Sequence, residues 1–254
     1  MSSTPRFFVP PSAIASGVVT LPEADAHHAR SVLRLRVGEP IFVHDGQNVV
    51  HRAILTDVSP RAVVARVESS EPAQTEPRTR ITVAQALPKT TDKIEQVLQH
   101  GTEIGAAGFL LWGAFRSVAK LGAGEKIERR LERWRGIVKG AAEQSGRGVL
   151  PDVAWAANAR DVTARSGDFD AVLVAHEAAT LPLAVALADL APGTTRLLVV
   201  VGPEGGLTDE EVGGFTSTGA RSVSLGLRVL RTETAALVAL AQILFARDDI
   251  EEAP

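Results

Sequence analysis

The stretch Leu197-Leu-Val-Val-Val-Gly-Pro-Glu-Gly-Gly-Leu-Thr-Asp-Glu-Glu211 decides the fold. An unbroken apolar run stops at Gly-Pro-Glu-Gly-Gly, and Thr208 with Glu211 three residues later forms a capping-box pattern that starts a helix. A strand apolar on both faces belongs inside a parallel sheet with cover on each side. Ligands of open α/β sheets bind beyond the carboxyl ends of such strands, so the loop sits where a ligand is expected. Glycines let main-chain N–H and C=O groups approach it closely. The same residues equally suit a tight strand-to-helix turn. The loop lacks a Gly-Lys-Ser/Thr ending and is not GxGxxG, which disfavours a nucleoside triphosphate or dinucleotide site.

Outward from this strand the chain alternates. Further strands are expected at Ile81–Leu87, Phe109–Trp112, Ala171–Ala175 and Ser222–Leu225. Helical spacing links Ile94, Val97, Leu98 and Ile104, and then Ile127, Leu131, Trp134, Val138 and Ala141. A last helix from about Thr232 to Arg247 places Leu237, Leu240, Ala241 and Leu244 on one face. Strands alternating with helices predict an α/β domain with a mostly parallel sheet. The first 70 or so residues differ: Ile41–Asp45, Val49–Leu55 and Ala62–Val67 are short apolar-alternating runs, with an Asp45-Gly46 turn between two of them. They predict a small barrel or sandwich. Ser69–Arg78 carries two prolines and reads as a linker, dividing the chain into domains at 1–72 and 73–254.

Composition narrows the chemistry. The 254 residues carry 27 Lys plus Arg against 30 Asp plus Glu, a formal charge of -3, which argues against coating nucleic acid by overall charge. Asp248, Asp249, Glu251 and Glu252 supply four of those negative charges, and a local basic face remains open. Cysteine is absent, so disulfides, thiolate metal sites and a Cys nucleophile are excluded. The six His show no HExxH-like spacing, and no metal is expected. No apolar run approaches the roughly 20 residues of a membrane span. The start MSSTPRFFVPP lacks a secretory pattern, so cytoplasm is the expected location and no membrane partner is expected.

Charged groups cluster at four places. Arg228 and Arg231 precede the last helix, where Thr232 or Thr234 can cap it. Two arginines beside a helix N-terminus suit an anionic ligand, or pair with Glu233 or Glu204. Lys89, Lys93, Glu103 and Arg116 follow the first strands of the α/β part. The helix Lys126–Arg135 alternates charges and reads as a solvated face, whereas Gln144 and Arg147 lie at its end. Arg6, Arg30, Arg34 and Arg36 gather near His27 and His28, a pattern suited to phosphate contacts.

Each motif is weak alone, but their order is specific. Arg6-Phe-Phe, His27-His-Ala-Arg-Ser-Val-Leu-Arg-Leu-Arg-Val-Gly-Glu39, Asp45-Gly46, Lys93-Ile-Glu-Gln and Thr102-Glu-Ile-Gly105 come first. Arg116-Ser-Val, Arg133-Trp, Ala142-Glu-Gln-Ser-Gly-Arg147, Val201-Gly-Pro-Glu-Gly-Gly206 and Leu225-Gly-Leu-Arg-Val-Leu-Arg-Thr-Glu-Thr-Ala235 complete the series. The whole chain resembles the bacterial 16S rRNA (uracil-N3)-methyltransferase family, the RsmE-like branch of the SPOUT superfamily. The resemblance implies a PUA-like β-barrel that helps dock RNA, a SPOUT domain with a trefoil knot, and a homodimer acting on 16S rRNA of the small ribosomal subunit. It also implies S-adenosylmethionine as cofactor, held by Val174, Ala175 and His176, by Val201, Gly202, Pro203, Glu204, Gly205 and Gly206, and by Ser224, Leu225, Gly226, Leu230 and Thr232.

Methylation at uracil N3 requires loss of the N3 proton and stabilisation of the resulting anion. Arg231 is the candidate for that stabilisation, with Arg228 the second choice. Glu233 and Glu204 are candidate proton acceptors, although Glu204 could simply hold its loop together. RNA contacts are expected from Arg6, Arg34, Lys89, Lys93, Arg116 and Arg147, with Arg147 alternatively at a dimer interface. Methylation at carbon 5 commonly uses a Cys adduct, which this chain cannot form. Two other functions remain: a non-catalytic RNA-binding dimer, and a SPOUT methyltransferase acting on transfer RNA.

Overall fold

A computed structural model describes residues 4–118 and 124–247; the acidic residues from Asp248 onward lie outside the described residues. Contacts divide the chain into two units, Met1–Glu76 with Ala142–Leu150, and Pro77–Ala141 with Pro151–Pro254.

In the first unit, β1 (Arg6–Phe8), β2 (Ile14–Ala15), β3 (Val18–Thr20), β4 (Pro40–His44), β5 (Val49–Val58) and β6 (Val63–Pro72) form one sheet. Their order is β1-β4-β5-β6-β3-β2. β1 runs parallel to β4 and the other pairs are antiparallel. Alternation sets the core, since Ile41 and Val43 of β4, Ala53 and Leu55 of β5, and Val63 and Ala65 of β6 all point inward with Phe7 and Val19. Helix α1 (Glu23–His27) widens into a π turn over His28–Val32. At the Asp45-Gly46 turn, Asp45 Oδ1 accepts the N–H groups of Gln47 and Val49 at 2.8 and 3.1 Å, and Gly46 has φ +74°.

The expected linker is partly strand. β6 stays paired with β5 as far as Val49↔Pro72, and proline is tolerated there because it ends the strand. The boundary by contacts falls after Glu76, not near residue 73, and a second segment joins the first unit. Glu76 explains both. Its carboxylate accepts Arg147 Nε and Nη2 at 2.9 and 2.6 Å, and Gly148 and Val149 N–H at 2.8 and 3.2 Å, drawing residues 142–150 to this unit.

The second unit holds β7 (Arg80–Ala86), β8 (Gly108–Trp112), β9 (Asp152–Ala156), β10 (Ala171–Ala175), β11 (Arg196–Val201) and β12 (Arg221–Val223). All are parallel, in the order β12-β10-β11-β7-β8-β9. The helices are α2 (Thr91–Ile104), α3 (Glu125–Ser145), α4 (Ala159–Thr163), α5 (Leu183–Ala188), α6 (Asp209–Thr216) and α7 (Thr232–Ala246). The apolar run of β11 now has its cause. Leu197, Val199 and Val201 join a core with Leu98, Trp134, Val138 and Leu240, while Leu198 and Val200 join another with Trp112, Leu207 and Phe215. Each such fully buried side chain contributes about 1.5–3 kcal/mol. Helix α2 ends at Gly105, whose φ of +124° suits glycine; a Cβ there would lie 2.9 Å from Pro77 Cγ.

Candidate functional site

The carboxyl ends of β10, β11 and β12 surround a cavity of about 440 Å³ in the second unit. Three chain segments line it: Ala175 to Glu177, Val201 to Leu207, and Ser224 to Thr232, with Ala235 from α7. Every expected cofactor position lies in this lining except Val174. Val174 is 0% exposed because alternation along β10 turns it into the core with Val200, and no ligand can reach it.

The loop after β11 is held from several sides. Thr208 and Glu211 form the capping box of α6, fixing where the loop ends. Arg116 Nη1 donates to the carbonyls of Gly205 and Leu207 at 2.9 and 3.3 Å. The Glu204 carboxylate accepts the Lys89 N–H at 3.1 and 3.0 Å and the Lys93 ammonium at 2.8 Å. Burial pushes the Glu204 carboxyl up, but the Lys93 ion pair and main-chain N–H donors outweigh it and hold it below its ordinary value. Lys93 is correspondingly raised, by Glu204 first and Glu233 as well, against a lowering from burial. Gly206 has φ +71°, and a Cβ there would sit 2.7 Å from Glu177 Oε1.

A buried polar link fixes the cavity floor. Gln85, 0% exposed near the end of β7, donates from Nε2 to the Ala86 carbonyl at 2.9 Å and to Thr232 Oγ1 at 2.8 Å. Thr232 Oγ1 in turn donates to the Gly202 carbonyl at 2.5 Å. Neither Thr232 nor Thr234 caps α7, because Arg231 is the N-cap residue and makes no side-chain cap; the Thr232 hydroxyl is already committed to Gly202. Sequence reading missed Gln85.

The loop before α7 is different. Arg228 and Arg231 line the cavity and are exposed, and their guanidinium groups make no hydrogen bond or ion pair among the described residues. The pairing with Glu204 or Glu233 that the sequence left open does not form, since Lys93 occupies both carboxylates, at 2.8 and 3.5 Å. Glu233 does not line the cavity; its Oε2 is buried without a hydrogen-bond partner.

A family model described as an RNA methyltransferase domain matches residues 75–244, and one for an RNA methyltransferase PUA domain matches residues 21–68. The chain belongs to the RNA methyltransferase family. It is 38% identical over 236 residues to a Mycobacterium tuberculosis protein named ribosomal RNA small subunit methyltransferase E, covering 90% of this chain and 87% of that one. A Bacillus subtilis protein of the same name is 36% identical over 225 residues, covering 87% of each. Among solved structures, a Neisseria gonorrhoeae ribosomal RNA small subunit methyltransferase E bound to S-adenosyl methionine superposes with TM-score 0.83 at 29% identity, covering 95% of this chain and 97% of that one. A Legionella pneumophila methyltransferase structure with bound SAM gives TM-score 0.86 at 29% identity, covering 96% and 98%.

An RNA methyltransferase must hold a polyanion, and here the expected contacts divide. Arg147 is withdrawn from the RNA set, being 3% exposed with its guanidinium fastened to Glu76 inside the first unit. Lys93 and Arg116 are engaged by the cofactor-side loop, and Lys89 contributes its main chain there while its side chain stays exposed. Arg34 is exposed at φ +55° with no ion pair among the described residues. Arg6 lines a second cavity, within the first unit, together with His44 and Arg52. Burial, aided by the Arg6 charge, pushes the His44 imidazole down to about 4 despite a hydrogen bond at the Arg147 main chain.

Proposed function

We propose that the protein transfers a methyl group from S-adenosylmethionine to N3 of a uracil in 16S ribosomal RNA, on the assembled small subunit. The carrying observation is the pair of unpaired guanidiniums, Arg228 and Arg231, on the rim of the cavity at the sheet's carboxyl end. The names of the relatives support the ribosomal substrate, and the two cofactor-bound relatives support the cofactor. The residues present suit that cofactor. About 440 Å³ is within the range of small-molecule pockets, and Leu225, Leu230 and Ala235 supply apolar walls beside main-chain donors and acceptors.

When bound, S-adenosylmethionine supplies an electrophilic methyl group on a sulfonium. The chain's own residues must prepare the base. Arg231, and less directly Arg228, stabilises negative charge on the uracil oxygens as N3 loses its proton, as an oxyanion site does. Glu233 does not line the cavity and its buried Oε2 faces the Lys93 ammonium at 3.5 Å, so it is not assigned as the direct acceptor of that proton. N3 lies on the pairing edge, so a paired target must first be flipped out. Arg6, Arg34 and the Lys89 side chain hold phosphates, which position RNA without reading its sequence. A homodimer is supported by Leu227 and Val229, 102% and 87% exposed at the cavity rim, an apolar pair suited to a second copy. A sedimentation analysis that finds only monomer at working concentration would remove that part. A ribosomal substrate makes the cytoplasm its place of action.

The test is incubation with methyl-labelled cofactor and unmethylated small subunits, naked 16S rRNA or transfer RNA, followed by nucleoside analysis. Label is expected as 3-methyluridine in 16S rRNA of the subunits. Label in transfer RNA alone, or in another nucleoside, overturns the assignment. No cofactor binding by calorimetry, with RNA still bound, would favour a non-catalytic RNA-binding protein.

A further inference from the structure

Lys93 stands apart from the other cations near the cavity. It projects from the first turn of α2, and its ammonium lies 2.8 Å from Glu204 Oε1 and 3.5 Å from Glu233 Oε2. Glu204 belongs to the loop after β11 and lines the cavity, whereas Glu233 belongs to the first turn of α7. Among the described residues, no other charged side chain contacts both. Its side chain is 22% exposed, while Glu233 is 12% exposed, so the pair with Glu233 is only weakly screened. A buried carboxylate oxygen without a hydrogen bond is costly unless a charge stands near it. Lys93 is that charge. Asp92 on the same turn also feels the ammonium, but it is fixed by Thr90.

We propose that Lys93 is a positioning residue that couples the cofactor loop to the start of α7, holding Glu204 in the loop and the buried Glu233, two residues after Arg231, in the first turn of the helix with one ammonium. The role of Glu233 rests on the uracil-N3 reading above; the coupling to Glu204 does not. A hydrogen bond of 2.8 Å ties Glu204, and the longer contact of 3.5 Å offsets the charge of the buried Glu233 Oε2. Lys93 thus serves the protein's own carboxylates and not an RNA phosphate.

The test compares Lys93→Met, Lys93→Arg, Glu204→Gln and Glu233→Gln, each checked by thermal unfolding. Calorimetry with S-adenosylhomocysteine reads the loop without turnover. Lys93→Met is expected to weaken binding about tenfold, in line with losing a partly buried charge pair, and Lys93→Arg to restore most of it. In the Lys93→Met background, Glu204→Gln should cost little more, the non-additivity of residues that act together. In turnover, Glu204→Gln should raise the cofactor KM alone, Glu233→Gln should lower kcat alone, and Lys93→Met should do both. Unchanged S-adenosylhomocysteine affinity in Lys93→Met, or strict additivity with Glu204→Gln, overturns the coupling. A loss confined to RNA affinity in filter binding overturns it too, and returns Lys93 to the phosphate contacts. If nucleoside analysis finds a product other than 3-methyluridine, the uracil reading falls while the calorimetric cycle still judges Lys93. Should Lys93→Met fail to fold, Lys93→Arg with the Glu204→Gln cycle gives the same decision.

Discussion

Two loops face each other across the cavity, and the chain treats them in opposite ways. The loop after β11 is tied at Gly202 by Thr232, at Glu204 by Lys89 and Lys93, and at Gly205 by Arg116. The loop before α7 is tied near its start, where Ser224 bonds Leu181, Leu183 and Gly226, and then exposes Leu227, Arg228, Val229 and Arg231. Preorganisation suits a group that binds in one shape and is not consumed as a surface. Free charge and apolar area suit partners that arrive from outside. Under the proposed function, the difference suits the first loop to the cofactor and the second to the base being methylated and, through its apolar tip, to a second copy.

The largest effect should come from the free side. Arg231→Ala is expected to lower kcat by at least about 100-fold, the scale of removing one donor to a developing anion, while S-adenosylhomocysteine affinity stays within about threefold. Single-turnover transfer and calorimetry measure the two quantities. An equal loss of both would mean that Arg231 shapes the cavity and that the two loops do not divide the work.

Gln85→Leu should produce the next largest effect, on the tied side. It removes the donor to Thr232 Oγ1 and to the Ala86 carbonyl at a buried position, and a lost hydrogen bond costs about 0.5–1.5 kcal/mol. The stability loss should appear in chemical unfolding of the chain, together with cofactor binding weakened by about tenfold or more. Retained affinity despite lost stability would show that Gln85 supports the sheet and not the loop.

The same contrast explains what the sequence discloses. The five apolar residues of β11, the Thr208–Glu211 box and the stripe Leu131, Trp134, Val138 and Ala141 are local patterns, and each is buried or bonded as its spacing requires. Of the cavity lining, the loop after β11 was readable from its residues because it directly follows an apolar strand, whereas the other two segments came from the resemblance. Gln85 was not readable. A single amide inside Ile81–Leu87 looks like ordinary strand alternation, and its partner Thr232 lies 147 residues away. Arg147 misled because a charged residue at a helix end resembles a ligand contact until Glu76, 71 residues earlier, is brought against it. Strand β9 escaped because Asp152–Ala156 is short and occupies the sheet edge, where only one neighbour constrains it. The trefoil knot came from resemblance alone, since periodicity carries no information on threading.

The smallest effect concerns pH, and its sign follows from the tied loop. Glu204 is held below its ordinary value of 4.5, so the stabilisation it gives the loop is complete above that value and fades as pH falls through the lowered one. Lys93 is raised above 10.5, so its share is complete below that value and fades as pH rises through the raised one. Between these limits the ion pair is fully formed, and its contribution to S-adenosylhomocysteine affinity should be flat from about pH 6 to pH 9. Glu204→Gln at neutral pH imitates the acid limit. Because the pair is partly exposed, solvent screens its charge component, and the loss of affinity should be roughly two- to fivefold. The variant should then bind with no further acid dependence from this position. Calorimetry in matched buffers reads both arms. A wild-type affinity that instead changed steeply within pH 6 to 9, and equally in Glu204→Gln, would place the controlling charge on the untied side of the cavity and reverse the contrast between the loops.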